Sequence, residues 1–422
     1  MRWPTTAVPI IVAALALTGA LAAAPAHADM GQNGVVSPDP VNWTPHVLDG
    51  TVYAIVQIGP TVVVGGDFND VQDGRTGRVI RQPYLFAFDV RSGAILPFWP
   101  RFDGPVLALT PGPTGTVLAG GSFAYVNGGF RRGLALMSLW TGDAVPSFRA
   151  TINGGDVRTL ATHGGEVYVG GTFGAIGGYR RTGLARILAS TGAVDQDFAL
   201  EIAGGRFNRA KIEDLALSPA GDRLVAIGAL SRVDGWLRPQ LAMIDTGARP
   251  ARLSSWFTEV YAPPCRAGFD TYLRAVDFSP DGRYFVVVTT GRASRPDRMC
   301  DTAARFETGG VGSQVPTWVN HTGGDSLYAV SVTGSAVYVG GHQRWMNNPY
   351  GYERPGPGAV NRPGIAALDP RNGGALYWNP TRSRGVGTRA LVATRDGLFV
   401  GSDTDRLGGE YHARLGMFPL YR

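Results

Sequence analysis

The sequence predicts an all-β fold, a seven-bladed β-propeller with four antiparallel strands in each blade and a ring closed by the N-terminal strand. Three observations predict it. An apolar run ending in glycine recurs about every 55 residues. Three further short apolar segments accompany each copy, separated by turns rich in Gly, Asn and Asp. Glycine is the commonest residue, with 60 among 422, whereas the helix formers Lys, Glu and Gln are scarce.

The run that ends in glycine is the second strand of each predicted blade. Clear copies occupy 62–66, 117–121, 167–171 and 337–341, and weaker copies occupy 224–228, 284–288 and 398–401. We expect this strand to approach the neighbouring blade closely and then to turn sharply. Only glycine tolerates both the close approach and the positive φ that such a turn requires.

The remaining strands show the size gradient of a propeller blade. First strands begin at residues 52, 106, 157, 212, 273, 327 and 388, and their third residue is usually alanine. Third strands are of the type 183–187. Fourth strands hold an aromatic residue, at Phe98, Phe148, Phe198, Trp256, Trp318 and Trp378. Small residues near the axis and large ones at the rim fill a wedge-shaped blade.

The two ends of the chain are predicted to meet in one blade. The last repeat reaches its third strand at 416–422, and no aromatic fourth strand follows, whereas the segment around Trp43 copies the fourth strand around Trp378. We therefore predict that 35–48 supplies the outer strand of the last blade and leaves no open sheet edge. Residues 29–422 then form a single domain, which we expect to be a monomer.

Residues 1–28 match a secretory signal peptide. A charged start at Arg2 precedes an almost uncharged run, 7–24, and the triplet Ala26-His27-Ala28 fits a cleavage site. A membrane anchor is the alternative, but the apolar run is short and ends in small residues. We expect a secreted, extracellular protein without stable membrane insertion.

Cys265 and Cys300 are the only cysteines. They flank the first two strands of the fifth repeat, which lacks the double glycine and carries a long insertion. Because the chain is expected to be exported, we predict a disulfide that tethers this insertion. Two buried free thiols are the alternative.

The charge is mildly positive. The net charge is +6, and arginine supplies nearly all of the positive charge because Lys211 is the only lysine. No run of basic residues occurs, so we expect no nucleic-acid partner.

The repeat resembles a known family. The pattern of 167–198, in which "VYVGG" leads through a loop arginine to "LA" and "TG", is similar to the delta-60 repeat (DUF5122) of secreted bacterial β-propellers, and its double glycine also resembles kelch repeats. Residues 367–378 are similar to quinoprotein repeats, and 279–285 to WD40-like and YVTN-like repeats. The resemblance implies a propeller and no catalytic residues.

Motifs for catalysis or cofactors are scarce. The six histidines lack metal-type spacing, and no Cys-x-x-Cys, phosphate loop or Gly-x-Ser-x-Gly motif occurs. The segment from Asp67 to Gly74 faintly resembles a calcium loop, but its spacing departs from the EF-hand pattern and we interpret it as a polar turn. We therefore expect no cofactor and no metal.

The mouth of the central channel is the best candidate for a ligand site. The second residues of the first strands should lie nearest to it, and they read Tyr53, Leu107, Arg158, Glu213, Arg274, Tyr328 and Arg389. Arginine forks beside acidic and aromatic groups suit carbohydrate, carboxylate or acidic peptide. All except Leu107 are our candidate ligand-binding residues. Since strand alternation permits either direction, they are alternatively ties between neighbouring blades.

Two sets of polar residues recur in the loops on this face. One is an aspartate before the first strand, at Asp49, Asp103, Asp156, Asp270 and Asp325. The other is an arginine after the glycines, often beside an aromatic residue, as at Arg131, Arg181, Arg238, Arg362 and Arg414. Because they recur in most repeats, we interpret them as ties between adjacent blades.

Two functional classes stay open. The first is a secreted, non-catalytic binding module that recognises a glycan or protein partner on the loop-rich face. The alternative is a polysaccharide hydrolase or lyase with a carboxylate site built from Glu213, Asp214 and Asp277. Neighbours on a strand point to opposite faces, which disfavours pairing Glu213 with Asp214.

Overall fold

The computed structural model describes residues 30–292 and 296–421, and all regular elements in these ranges are β-strands. The predicted signal peptide, 1–28, lies outside the described residues. Each sequence repeat forms an antiparallel sheet in which the first, second and third strands are neighbours in chain order. We number these sheets along the chain. No helix in the described part is long and apolar enough to cross a membrane.

The three main strands of each sheet are short. The first strands are Val52–Ile58, Val106–Pro111, Val157–His163, Lys211–Leu217, Leu273–Phe278, Leu327–Val332 and Ala390–Ala393. The second strands are Thr61–Gly66, Thr116–Gly121, Glu166–Gly171, Arg223–Val233, Tyr284–Thr289, Val337–Gly341 and Gly397–Gly401. The third strands are Leu85–Asp89, Leu134–Ser138, Leu184–Leu188, Leu241–Asp245, Thr302–Glu307, Ile365–Leu368 and Leu415–Pro419.

The fourth strand is the least regular element. It is a strand in the fourth and fifth sheets, at Arg252–Leu253 and Trp318–His321. In the first, second, third and sixth sheets it is reduced to single bridges, which are Phe88 with Ile95, Met137 with Ala144, Ile187 with Val194 and Leu368 with Ala375. The prediction of aromatic residues in the fourth strands holds for Trp318 alone. Trp256–Phe257 pairs in parallel with Gly312–Ser313 of the next repeat, and four aromatic residues follow the bridges outside any strand, which are Phe98, Phe148, Phe198 and Trp378.

The N-terminal segment lies along the seventh sheet. The Ser37 backbone N–H donates to the Pro419 carbonyl at 2.8 Å, and the Val41 N–H donates to the Met417 carbonyl at 3.0 Å. Trp378 Nε1 of the sixth repeat donates to the Ser37 carbonyl at 3.1 Å. The two backbone bonds attach the start of the described chain to its last strand, and the Trp378 bond attaches it to the sixth repeat.

Short strands cluster at one end of the sheets, between the second and third strands. They are Asp70–Gln72, Val79–Arg81, Tyr125–Val126, Gly129–Phe130, Ala175–Ile176, Tyr179–Arg180, Trp236–Leu237, Trp345–Met346, Val360–Asn361, Arg406–Leu407 and Glu410–Tyr411. Three strands from the segments before the first strands pair with them or with the end of a second strand, and these are His46–Val47, Ile152–Asn153 and Ile202–Gly204. We call this end of the sheets the loop-rich face.

The core lies between consecutive sheets. One apolar cluster joins Leu118 of the second sheet to Val157 and Val169 of the third, and another joins Val52 of the first sheet to Phe399 of the seventh. Each first strand contacts the next, and Ala390–Ala393 contacts Val52–Ile58. Residues from all the first strands line one central channel.

The double glycines have two separate causes. A Cβ on Gly65 would lie 2.7 Å from Cγ1 of Val106 in the next sheet, which confirms the expected close approach. A Cβ on Gly66 would overlap the carbonyl oxygen of Thr51. The expected positive φ is wrong, because neither glycine is in the left-handed region. The second glycine therefore makes room for backbone within its own repeat.

A buried arginine occupies a core position of the third sheet. Arg186 is fully buried, and its guanidinium lies 2.8 Å from Asp195, 3.6 Å from Glu166 and 5.2 Å from the Phe198 ring centroid. Arg249 pairs with the same two carboxylates. This charge cluster joins the third repeat to the fourth.

Candidate functional site

A recurrent β-bulge positions the candidate residues. Val157 pairs with Gly171 and Thr159 pairs with Gly170, so Arg158 is the extra residue between them. The same irregularity leaves Tyr53, Leu107, Glu213, Arg274 and Tyr328 as extra residues in their own first strands. A bulge re-aims a side chain relative to simple alternation. The sequence pattern gave no sign of it beyond the double glycines that lie opposite the bulge in four of these six sheets.

Three cations surround Glu213. Its carboxylate lies 3.0 Å from Lys211 Nζ, 3.7 Å from Arg274 and 4.0 Å from Arg158. Lys211 also lies 3.2 Å from Asp270. Three cations against the carboxylates of Glu213 and Asp270 leave this side of the mouth with an excess of one positive charge. The structure thus brings three of the six candidate residues together and adds Lys211, whose role the sequence reasoning missed.

The other three candidates lie around the opposite part of the ring of first strands. The Arg389 guanidinium lies 4.2 Å from the Tyr328 ring centroid, a cation–π distance. The Tyr53 hydroxyl donates to Asp67 at 3.2 Å, and burial raises the pKa of Tyr53. Tyr53, Arg158 and Arg389 line the central channel itself. Arginine and flat aromatic surfaces therefore stand side by side here.

Deeper in the channel, side chains satisfy the free edges of the first strands. Asp214 accepts from the Val276 N–H of the next sheet at 3.0 Å and from the Thr159 hydroxyl of the previous sheet at 2.9 Å. Asp277 accepts from the Val332 N–H of the next sheet at 2.7 Å. These carboxylates bridge neighbouring sheets, because an inner edge strand has N–H groups that no strand partner satisfies.

Asp214 has a perturbed acidity. It keeps a small opening to the channel, but protein surrounds it on the other sides, and this desolvation raises its pKa to about 6. Its hydrogen bonds and the neighbouring Glu213 act in opposite directions on that value. Glu213 pairs with cations at the mouth, whereas Asp214 accepts hydrogen bonds from the neighbouring sheets, so the two adjacent carboxylates have different roles.

The recurrent loop arginines bind within their own repeat. Arg181 donates to the Phe198 carbonyl at 3.2 Å, Arg238 to Ser254 at 2.8 Å and Arg362 to Leu376 at 3.1 Å. Each acceptor follows the third strand of the same sheet, so the interpretation as ties between adjacent repeats is wrong for these arginines. Their guanidinium groups instead satisfy backbone carbonyls of the segment that follows the third strand.

Arg414 and two of the recurrent aspartates, Asp270 and Asp325, do cross between repeats. Arg414 of the seventh sheet donates to the Gly50 carbonyl at 2.8 Å, and Asp270 pairs with Lys211. Most recurrent aspartates stay local. Asp49 accepts from the backbone N–H groups of Asn69 and Asp70 at 2.8 and 3.0 Å.

The segment that resembles a calcium loop is a hydrogen-bonded turn. Asp73 Oδ1 accepts from the backbone N–H groups of Arg75 and Thr76, and Asp73 Oδ2 accepts from the Ile95 N–H. Its carboxylate thus serves the protein backbone. In 30–292 and 296–421, no group of three His, Cys, Asp or Glu side chains is placed to hold a metal ion.

Cys265 and Cys300 form a disulfide, as the sequence predicted, with Cα atoms 5.7 Å apart. The bridge links the segment before the first strand of the fifth sheet to the loop after its second strand. Both segments lie on the loop-rich face, beside the first-strand residue Arg274.

A groove that the sequence reasoning missed opens next to the mouth, between the fifth and sixth sheets. Its lining includes two of the candidate residues, Arg274 and Tyr328. The other charged residues of the lining are Arg266, Arg292, Asp325, Arg344, Glu353 and Arg384. Five arginines against two carboxylates give the groove an excess of three positive charges. No local sequence pattern indicates this groove, because its residues come from segments of which some lie more than 100 positions apart.

Repeated antiparallel sheets that surround a channel, with second strands ending in glycine, define a β-propeller. Residues 165–198 match the family model described as the domain of unknown function (DUF5122) beta-propeller, which confirms the predicted resemblance in the third repeat.

No curated protein matches this one. The chain is similar to the solved structure of the computationally designed Ika8 protein, at 13% identity and a TM-score of 0.48, over 93% of this chain and 100% of that one. It is also similar to the WD40 beta propeller domain of Doa1, at 11% identity and a TM-score of 0.49, over 89% of this chain and 95% of that one.

Proposed function

We propose that this chain is a secreted, non-catalytic binding module that recognises negatively charged groups of a glycan or protein partner. The binding site is the mouth of the channel on the loop-rich face, with Arg158, Arg274 and Arg389 as the contacts. The observation that carries the proposal is the excess of cations at the mouth. Lys211, Arg158 and Arg274 surround Glu213 and Asp270 on one side, and Arg389 lies over the Tyr328 ring on the other.

A closed ring of seven blades is the scaffold of this proposal. Its support is that the first strand of the seventh sheet contacts the first strand of the first sheet. The bonds from Ser37 and Val41 to the third strand of the seventh sheet further support 35–48 as the closing segment. A closed ring removes open sheet edges and holds all the first strands around one axis, which keeps the mouth residues rigid.

Positive charge at the mouth favours an anionic partner. Charge-assisted hydrogen bonds from guanidinium groups to carboxylates are about twice as strong as neutral ones. Arg274 keeps 14% of its side chain exposed and Arg158 keeps 36%, so both have N–H groups within reach of a ligand. Their partial burial lowers the local dielectric and strengthens such bonds.

Export is supported by two independent features. The sequence 1–28 has the three regions of a signal peptide. The Cys265–Cys300 disulfide is a bond that persists in oxidising compartments. The measured mass of the secreted protein should match a chain that begins at Asp29. Protein with an intact Met1 in a membrane fraction would contradict export.

We propose a non-catalytic module because the three candidate carboxylates, Asp214, Asp277 and Glu213, already have partners within the protein. Asp214 and Asp277 accept backbone N–H groups of neighbouring sheets, and Glu213 binds the cations of the mouth. A hydrolase or lyase needs a pair of carboxylates facing one substrate bond. The partners of these three groups point to a structural and electrostatic role.

The experiment is an array of glycans and peptides of graded charge, probed with the purified mature protein. We expect retention of anionic members that weakens with salt, since exposed charge pairs are screened. Arg283→Ala provides a control, because Arg283 is 82% exposed in a turn at the opposite end of the sheets. Binding to neutral members alone, or turnover of any polysaccharide, would contradict the proposal.

A further inference from the structure

We propose that the groove between the fifth and sixth sheets binds an acidic oligosaccharide, one whose sugars carry uronic-acid carboxylates. This inference rests on the proposed function and extends it, because the groove adjoins the channel mouth and shares Arg274 and Tyr328 with it. Its cavity volume is about 410 Å³, within the range of about 300–1,000 Å³ that is typical of small-molecule sites.

A buried carboxylate holds two arginines in position in this groove. Asp325 is 2% exposed, and it receives Arg344 in a fork, with Nε to Oδ2 at 2.8 Å and Nη2 to Oδ1 at 3.0 Å. Arg384 of the seventh repeat donates to the same Oδ1 at 3.2 Å. One carboxylate therefore anchors two guanidinium groups, which together keep a positive charge in excess.

Both anchored arginines keep N–H groups for a ligand. The side chain of Arg344 is 30% exposed and that of Arg384 is 54% exposed. Arg344 also lies over Trp345, 4.4 Å from the ring centroid. Guanidinium groups fixed before the ligand arrives lose little conformational entropy on binding, so preorganisation adds to affinity.

The inner end of the groove is a fixed and uncharged ring surface. His342 Nε2 accepts from the Ser326 N–H at 3.3 Å, and His342 Nδ1 donates to the Val386 carbonyl at 3.2 Å. Burial lowers the pKa of His342, so the ring is neutral at pH 7. It packs edge-on against Tyr328, at 5.8 Å between centroids, and Arg389 covers that tyrosine. Flat rings beside guanidinium groups suit a sugar face with a carboxylate.

Backbone N–H groups along the groove are already hydrogen-bonded within the protein, which favours a sugar over an acidic peptide. The Ser326 N–H is taken by His342, the Arg344 N–H donates to Asp325, and the Glu353 N–H donates to the Gly323 carbonyl. A peptide bound as an added strand needs free backbone donors and acceptors along a sheet edge. This groove instead offers side-chain forks and ring faces, which is the pairing that a uronic-acid sugar requires.

The probe for this inference is trigalacturonate, compared with its fully methyl-esterified form, a neutral maltotriose and a glutamate hexapeptide. Titration calorimetry should give binding of trigalacturonate to the wild-type protein and none of the ester or of maltotriose. Arg344→Gln and Arg384→Gln should each weaken it about tenfold or more, because each removes a charge-assisted bond. Arg283→Ala on the opposite face should leave it unchanged.

Folding is checked on the same variants by thermal melting. Arg384→Gln is the safer of the two because the side chain is more than half exposed. Two results would overturn the assignment. One is equal affinity for trigalacturonate and its ester, and the other is wild-type affinity for trigalacturonate in a folded Arg384→Gln variant.

The two proposals fail in different ways. The glutamate hexapeptide could bind more tightly than trigalacturonate and be weakened by both Arg344→Gln and Arg384→Gln. That result would assign the groove to acidic peptides and overturn the oligosaccharide assignment, while the proposed binding module stands. Binding of trigalacturonate that depends on Arg158 and not on Arg384 would confine the site to the mouth and overturn the groove. An array with no anionic binder would remove both proposals.

Discussion

Asp214→Asn should change how stability depends on pH. The folded-state pKa of Asp214 is about 6 against an ordinary value of 3.8, so between pH 4 and 6 the folded protein binds more protons than the unfolded chain. The unfolding free energy of the wild type therefore falls as pH rises through this window. The fall amounts to at most about 3 kcal/mol, because a tenfold change in proton affinity is worth about 1.4 kcal/mol. The partial exposure of Asp214 to the channel reduces this fall.

The asparagine cannot titrate, so the variant lacks this part of the slope. Urea denaturation at pH 4, 5, 6 and 7 measures the free energies of both proteins, and the histidines contribute equally to each. The stability of the variant relative to the wild type should rise with pH, even if lost hydrogen bonds lower it throughout.

Asp369→Asn is the matched control for Asp214→Asn. Hydrogen bonding to Arg371 lowers the pKa of Asp369, so its contribution is present above pH 4 and is lost only at lower pH. The unfolding free energy of this variant should change with pH in the same way as that of the wild type from pH 4 to 7. If Asp214→Asn also ran parallel to the wild type, the raised pKa of Asp214 and its desolvation by the surrounding protein would be refuted.

Three further predictions concern stability. Arg186→Met should lower the unfolding free energy by about 3–5 kcal/mol, toward the lower end because Arg249 still pairs with both carboxylates; in urea denaturation, an equal loss in Arg249→Met would contradict this. Replacing Cys265 and Cys300 by serine should cost about 3–4 kcal/mol in the chain-entropy model, and two titratable thiols in the native protein would exclude the bridge. Deleting 35–48 should expose a sheet edge and cause aggregation or loss of cooperative melting, whereas an unchanged melting transition would show that the ends do not meet.

The repeat-based part of the fold could be predicted from the sequence. Glycine, alanine and turn residues respond to local geometry, so the close approach at Gly65 and the order of the three main strands were visible in the pattern. The fourth strands were not, because a single bridge such as Phe88 with Ile95 needs little sequence of its own. An aromatic residue there marks packing rather than a strand, as Phe98 illustrates, because it is buried and lies outside any strand.

The site was predictable only in its innermost ring. Arg158, Glu213 and Arg274 stood out because they replace one another at one repeat position, and the structure brings them together. Their direction depended on a bulge, which no residue type marks. The groove around Asp325 and Arg384 depends on contacts between distant segments, and a pattern within one repeat carries no information about them.

The most direct test of the binding module compares affinity and stability on the same variants. For Arg158→Ala, Arg274→Ala and Arg389→Ala, calorimetry with the best anionic ligand of the array gives the affinity, and thermal melting gives the stability. Our account predicts affinity weaker by about 1.5–3 kcal/mol for each contact removed, with melting temperatures close to that of the wild type. Lower melting temperatures with unchanged affinity per folded molecule would contradict it and make these arginines ties between blades.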